Sequence, residues 1–146
     1  MSTQGKKKST AAGRPRIRLE KLATIPTRCP ISMHNYFKMI YPFRYKSLTE
    51  LYEVMLERFI ALEAWDHGVT WRNPRVQISR TVAGNTETGW QVVNVSVSEE
   101  LKIRVVNISK LHKVSAASFV YTAMFWWVMY VMPPSQPAMF DGLDSE

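Results

Sequence analysis

Residues 93–101 read Val-Asn-Val-Ser-Val-Ser-Glu-Glu-Leu, and a change of period inside them decides the fold. Val93, Val95 and Val97 recur every second residue, the spacing of a strand with one buried face. At Ser98 the pattern switches. Ser98 is a helix cap, and Glu99 and Glu100 suit a helix N-terminus, where the dipole favours negative charge. Leu101, Val105, Ile108 and Leu111 then fall on one helical face. After a break at His112-Lys113, Ser115 caps a second helix. This very apolar stretch, residues 116–132, is stopped by Pro133-Pro134.

The same plan stands 68 residues earlier, without a gap. Pro30 falls on Ser98, and Ser47 falls on Ser115. Met33, Phe37, Ile40 and Phe43 fall on Leu101, Val105, Ile108 and Leu111. Leu51, Met55, Phe59 and Leu62 fall on Phe119, Ala123, Trp127 and Tyr130. Ser47 and Glu50 form a capping box, and Gly68 and Pro74 lie beyond the helix that follows. An alternating strand precedes each first helix, Thr24 to Cys29 in one copy and Val92 to Val97 in the other. The first copy departs from the pattern in two places. Pro26 sits inside its strand, and Tyr41-Pro42 is expected to shorten its first helix.

These residues resemble the ribbon-helix-helix family of Arc and MetJ. A proline or serine follows the strand, and Ser115 stands seventeen residues after Ser98. The family works as a homodimer in which one strand from each subunit pairs into an antiparallel ribbon that enters the major groove. Two units in one chain would pair with each other. That is similar to the tandem-unit accessory proteins of conjugative DNA transfer, of the TraY kind, and to the accessory protein that enhances T-DNA transfer. The expected fold is α+β and pseudodimeric: a two-stranded antiparallel ribbon crossed by four main helices. The expected organisation is a flexible basic arm over 1–22, a first unit over 23–65 and a linker over 66–91 with room for a hairpin at Ala83-Gly84-Asn85. A second unit over 92–132 and a loose tail over 133–146 complete it. A lone ribbon with small helices buries too little area to be stable, so the two units need one shared core.

If Ile25, Thr27, Cys29, Val93, Val95 and Val97 face that core, then Thr24, Pro26, Arg28, Val92, Asn94 and Ser96 face out. Outward residues on such a ribbon reach base edges. Arg28 suits guanine, Asn94 adenine and Val92 a thymine methyl, while Thr24 and Ser96 donate or accept. The N-termini of the second helices can hold phosphates through Ser47 and Leu48 in one unit and Ser115 and Ala116 in the other. Arg44, Lys46 and Lys113 stand just before them. The two half-faces differ, so an asymmetric site or direct repeats are expected rather than a palindrome.

Charge supports a polyanionic partner. Up to position 28 there are eight basic residues (Lys6, Lys7, Lys8, Arg14, Arg16, Arg18, Lys21, Arg28) and one acid, Glu20. Eight against one accounts for the whole formal charge of +7, so the rest of the chain is neutral. Arg14 and Arg16 lie in Gly13-Arg14-Pro15-Arg16, which resembles the core of an AT-hook. The partners implied are double-stranded DNA, further copies on DNA, and a relaxase or a partition-type ATPase.

Enzymes are not expected. There is no Walker loop, GxGxxG, HExxH or GxSxG. His34, His67 and His112 lack ligand spacing and read as surface residues. Glu50, Glu53 and Glu57 read as a solvated face. Tyr36 and Tyr41 lack the histidine cluster that a relaxase needs. Cys29, the one cysteine, suits a core position, permits no internal disulfide and fits a reducing, cytoplasmic compartment. No cofactor is expected. The alternative roles are a transcriptional repressor or a segregation factor with the same DNA chemistry. A further alternative is a membrane or protein-interaction module built on 116–132, with Trp126 or Trp127 exposed; that stretch is short of the ~20 residues that span a bilayer.

Overall fold

The computed structural model describes residues 21–75 and 89–133. Strand β1 (Leu22–Pro30) leads directly into helix α1 (Ile31–Arg44), and α2 (Leu48–Leu62) follows after a short turn. Strand β2 (Trp90–Ser98) leads into α3 (Glu99–Leu111) and then α4 (Ala116–Trp126), which runs on as a π-helical turn over Trp127–Val131. Among the described residues the architecture is α+β, with one two-stranded antiparallel sheet and four α-helices. Each half carries the same elements in the same order. Leu22 to Trp90 and Pro30 to Ser98 are both steps of 68 residues, so the strands match end for end.

The caps behave as their sequences predict. Ser47 Oγ accepts from the Glu50 N–H at 3.1 Å, Ser98 Oγ from Leu101 at 3.2 Å and Ser115 Oγ from Ser118 at 3.0 Å. Glu50 completes its box one residue early, accepting from the Lys46 N–H at 2.7 Å. Pro30 opens α1 without a side-chain cap. Instead the Ile31 N–H reaches the Gly89 carbonyl at 2.7 Å, and the Glu99 N–H reaches the Lys21 carbonyl at 3.1 Å. Each first helix therefore has its leading N–H satisfied from just before the opposite strand.

The packing is crossed as well. α2 lies against β2 and α4 against β1, and the two second helices meet each other. Between them sits one core. Ile25, Cys29, Val95 and Val97 enter it from the ribbon, Met33, Phe37, Leu101 and Val105 from the first helices, and Leu51, Met55, Phe59, Phe119 and Trp127 from the second. Thr27 is buried too, and its hydroxyl donates to the Ala117 carbonyl at 2.7 Å.

Several expectations need correction. α1 is not shortened at Tyr41-Pro42; it continues through Pro42 to Arg44. Pro42 lies in the last turn, where its missing N–H removes one bond, and the Tyr45 N–H still closes onto the Tyr41 carbonyl at 2.7 Å. Phe43, Leu62, Leu111 and Tyr130, the last residues of the matched apolar rows, are exposed, Phe43 by 83% and Leu111 by 77%. All four stand at or next to the C-terminal end of their helical segment, beyond the reach of the opposing elements. Trp126 and Trp127 are buried rather than exposed. The outer side of α4 is covered by residues 64–75: Trp71 packs on Phe119, Arg72 lies over the Phe125 ring, and Asn73 bonds to Ser118. Among the described residues, no single helix is long and apolar enough to cross a membrane.

The glutamates of α2 are not a plain solvated face either. Glu53 accepts from the Ser98 N–H at 2.7 Å, and Glu57 pairs with Arg104 at 2.9 Å. His34 and His112 are only partly exposed, and His112 sits beside the stacked rings of Trp65 and Trp71. The N-terminal residues 1–20, the Ala83-Gly84-Asn85 turn and residues 134–146 lie outside the described residues.

Candidate nucleic-acid interface

Alternation fixes which side chains the ribbon presents. β1 and β2 pair in a register that sets Pro26 opposite Asn94, with Thr24 opposite Ser96 and Arg28 opposite Val92. Ile25, Thr27, Cys29, Val93, Val95 and Val97 are all buried, as alternation requires. Thr24, Pro26, Val92 and Asn94 are exposed, and Arg28 and Ser96 are partly exposed. Pro26 is accommodated because a two-stranded sheet has only edge strands, and an edge tolerates a missing donor. The outward row is therefore a polar strip, with valine and proline within it, open to a partner along most of its length.

Arg28 is the cation in the row, and it is already held. Its Nε donates to the Arg75 carbonyl at 2.7 Å. The terminal nitrogens of a guanidinium held this way still form a two-donor fork. Asn94, at the centre, presents a side-chain amide with a donor and an acceptor. Ser96 and Thr24 bring hydroxyls.

The first turn of α4 lies against β1 through the Thr27 hydroxyl and Ala117. The Ser115 cap satisfies the third N–H of that helix, and the N–H groups before it have no intrahelical acceptor. There is no acid in that turn. α2 has Glu50 in its first turn, held against the Lys46 N–H. An anion is thus better received at Ser115 and Ala116 than at Ser47 and Leu48. Arg44, Lys46 and Lys113 are all exposed. Lys113 has φ +60°, so the α3–α4 turn makes its reversal through a left-handed residue. Arg14, Arg16 and Arg18 lie outside the described residues.

Burial pushes the Cys29 thiol up to about 12, despite a backbone hydrogen bond at His34, so it is no thiolate at neutral pH. The Tyr36 hydroxyl donates to the Met132 carbonyl at 2.8 Å, and burial raises it above the ordinary phenol range. Burial, with Lys38 nearby, lowers His34 below the usual imidazole value. Among the described residues, no group of His, Cys, Asp and Glu could hold a metal ion. An apolar cleft of about 220 Å³ is lined by Leu62, Ala64, His67, Val69 and Trp126, none of them a ribbon residue.

Two contributors escaped sequence reasoning. Arg75 and Trp90 meet at one end of the ribbon, with the guanidinium 5.5 Å from the ring centre. The signal for Trp90 was its place in the outward row, two residues before Val92; Arg75 carried none. No protein-family model matches the chain, and no curated protein or solved structure does.

Proposed function

We propose that the chain is a single-chain pair of ribbon-helix-helix units that binds double-stranded DNA with its ribbon in the major groove. The observation that carries this reading is the register of the ribbon. In a two-fold pair of identical units, the residue on the axis faces its own counterpart, and every other contact is reciprocal. Pro26 faces Asn94, and these are the same position of the 68-residue repeat. The Ile31–Gly89 and Glu99–Lys21 bonds are reciprocal in the same sense, as are the α2–β2 and α4–β1 contacts. One face of this ribbon is sealed by the core, and the other exposes Thr24, Pro26, Val92 and Asn94. A two-stranded ribbon fits the width of the major groove.

On this reading Arg28 pairs with guanine, Asn94 with adenine, and Thr24, Ser96 and Val92 fill in the remaining base contacts. The α4 N-terminus at Ser115 and Ala116, with Lys113, grips a phosphate. The α2 N-terminus at Ser47 and Leu48, with Arg44 and Lys46, contributes less because of Glu50. Arg14, Arg16 and Arg18 extend the electrostatic footprint without reading sequence. The resemblance to transfer accessory proteins assigns the role: marking an origin or border of a plasmid or T-DNA for a relaxase.

Selection of bound duplexes from a random pool tests the reading. The enriched site should be asymmetric, and affinity should fall steeply between roughly 50 and 200 mM salt, as phosphate contacts demand. Enrichment of a perfect palindrome, or no enrichment at all, would overturn it.

A further inference from the structure

The two ends of the ribbon carry matching residues in opposite states. Leu22 and Trp90 open the two strands at the same position of the repeat, and alternation puts both in the outward row. Leu22 is 47% exposed and Trp90 only 6%. Trp90 rests against Tyr121 of α4, ring centres 5.1 Å apart, and the Arg75 guanidinium lies 5.5 Å from its own ring centre. The Arg75 carbonyl accepts from Arg28 Nε at 2.7 Å. The segment that delivers Arg75 is tied down on its way: the Arg72 N–H donates to Thr122 Oγ1 at 2.9 Å, and Asn73 bonds to Ser118. A strap therefore crosses α4 and brings Arg75 to one end of the outward row.

We propose that Arg75 is a positioning residue for Arg28, and that base preference concentrates at the Arg28 end of the ribbon. The proposal rests on reading the outward row as the DNA-contacting face. An arginine has five N–H donors in a rigid fork. With Nε engaged by the strap, Nη1 and Nη2 remain side by side for the O6 and N7 of one guanine. The long side chain is ordered before DNA arrives, so less freedom is lost on binding. The Arg75 side chain, seated on Trp90, fixes where its carbonyl stands. At the matching position of β2 the residue is Ser96, a short hydroxyl. The two half-sites are thus read unequally: one through a preset fork, the other through a weaker contact.

The test is duplex selection with the full chain and three variants, Arg28→Ala, Arg75→Ala and Arg75→Lys, scored as the preference at each base position. The unaltered chain should prefer guanine at one end of the site by on the order of ten-fold, as one bidentate contact allows. Arg28→Ala should abolish that preference. Arg75→Ala should reduce it several-fold at the same position and leave the adenine position of Asn94 unchanged. Arg75→Lys, which keeps a cation over Trp90, should recover most of it. If Arg75→Ala keeps the full guanine preference, or weakens all duplexes equally, Arg75 is only a phosphate contact and the proposal fails. If Arg28→Ala leaves every position unchanged, the reading of the outward row fails with it.

Discussion

α2 and α4 occupy the same place in the two halves and are built for different surroundings. α2 puts Leu51, Met55 and Phe59 into the core and turns Glu57 and Arg58 outward. α4 is buried at every position from Ser118 to Phe125, and Trp126 to Val128 continue the run. Phe59 and Trp127 match and do the same job. Glu53 and Glu57 match Tyr121 and Phe125, and there the halves part. The cause is the chain that leaves α2, because residues 64–75 fold back over α4, and among the described residues no such segment crosses α2. A duplicated pattern stays equal where the halves face each other. It diverges where the connection has to go somewhere.

The largest test of that contrast is a pair of truncations. Phe125→Ala should cost about 3–5 kcal/mol, because a buried ring that packs under Arg72 leaves a cavity. Its counterpart Glu57→Ala should cost under about 1 kcal/mol, because its pair with Arg104 is exposed. Urea unfolding of both variants measures the difference, and equal losses would mean that the strap does not cover α4 in solution.

Thr122 sharpens the point. Its counterpart in α2 is Val54, an apolar residue at the rim of the core. In α4 the hydroxyl accepts from the Arg72 N–H at 2.9 Å. Thr122→Val keeps the shape and orphans that donor, which should cost about 1–3 kcal/mol. Amide exchange at Arg72 should speed up, while exchange in α2 should not. Unchanged protection at Arg72 would show that the bond does not hold the strap.

The contrast also marks how far the sequence could be read. The repeat, the caps and the strand alternation were legible because each is a local pattern with a fixed period. The inward and outward rows of the ribbon follow from parity alone. The burial of α4 was not legible. An apolar face on every side signals a missing partner without saying which, and the partner is a segment with no periodicity of its own. Trp65 and Trp71, stacked on one another beside His112, were its trace at the start of the connection. The four helix-end residues failed for the opposite reason. A helical period continues to the end of a helix, whereas the core it faces stops earlier. Of the candidate interface, the outward row was legible and the hold of Arg75 on Arg28 was not, since nothing in the spacing joins two residues 47 apart.

The caps offer a smaller contrast. Ser47 and Ser115 do the same job, but Ser115 Oγ also lies 3.0 Å from Ser118 Oγ, which in turn meets Asn73. Each Ser→Ala change should cost about 1 kcal/mol for the cap itself. Ser115→Ala should cost the more of the two, because it also disturbs the bond that seats the strap. Equal losses in thermal unfolding would make the Ser118–Asn73 link independent of the cap.

The smallest effect separates the first helices. His34 of α1 is partly buried, its Nδ1 has no hydrogen-bond partner, and its affinity for a proton is lowered first by burial and then by Lys38. Its counterpart in α3 is Lys102. A histidine whose folded value lies below 6.5 binds fewer protons folded than unfolded as the pH drops through 6.5. Stability should therefore be level above that pH and decline below it, until the folded form also takes up the proton. His34→Gln should remove that part of the decline and leave stability at pH 8 nearly unchanged. Urea midpoints at a series of pH values decide the matter: an acid decline of the same slope in the variant would place its origin in other groups.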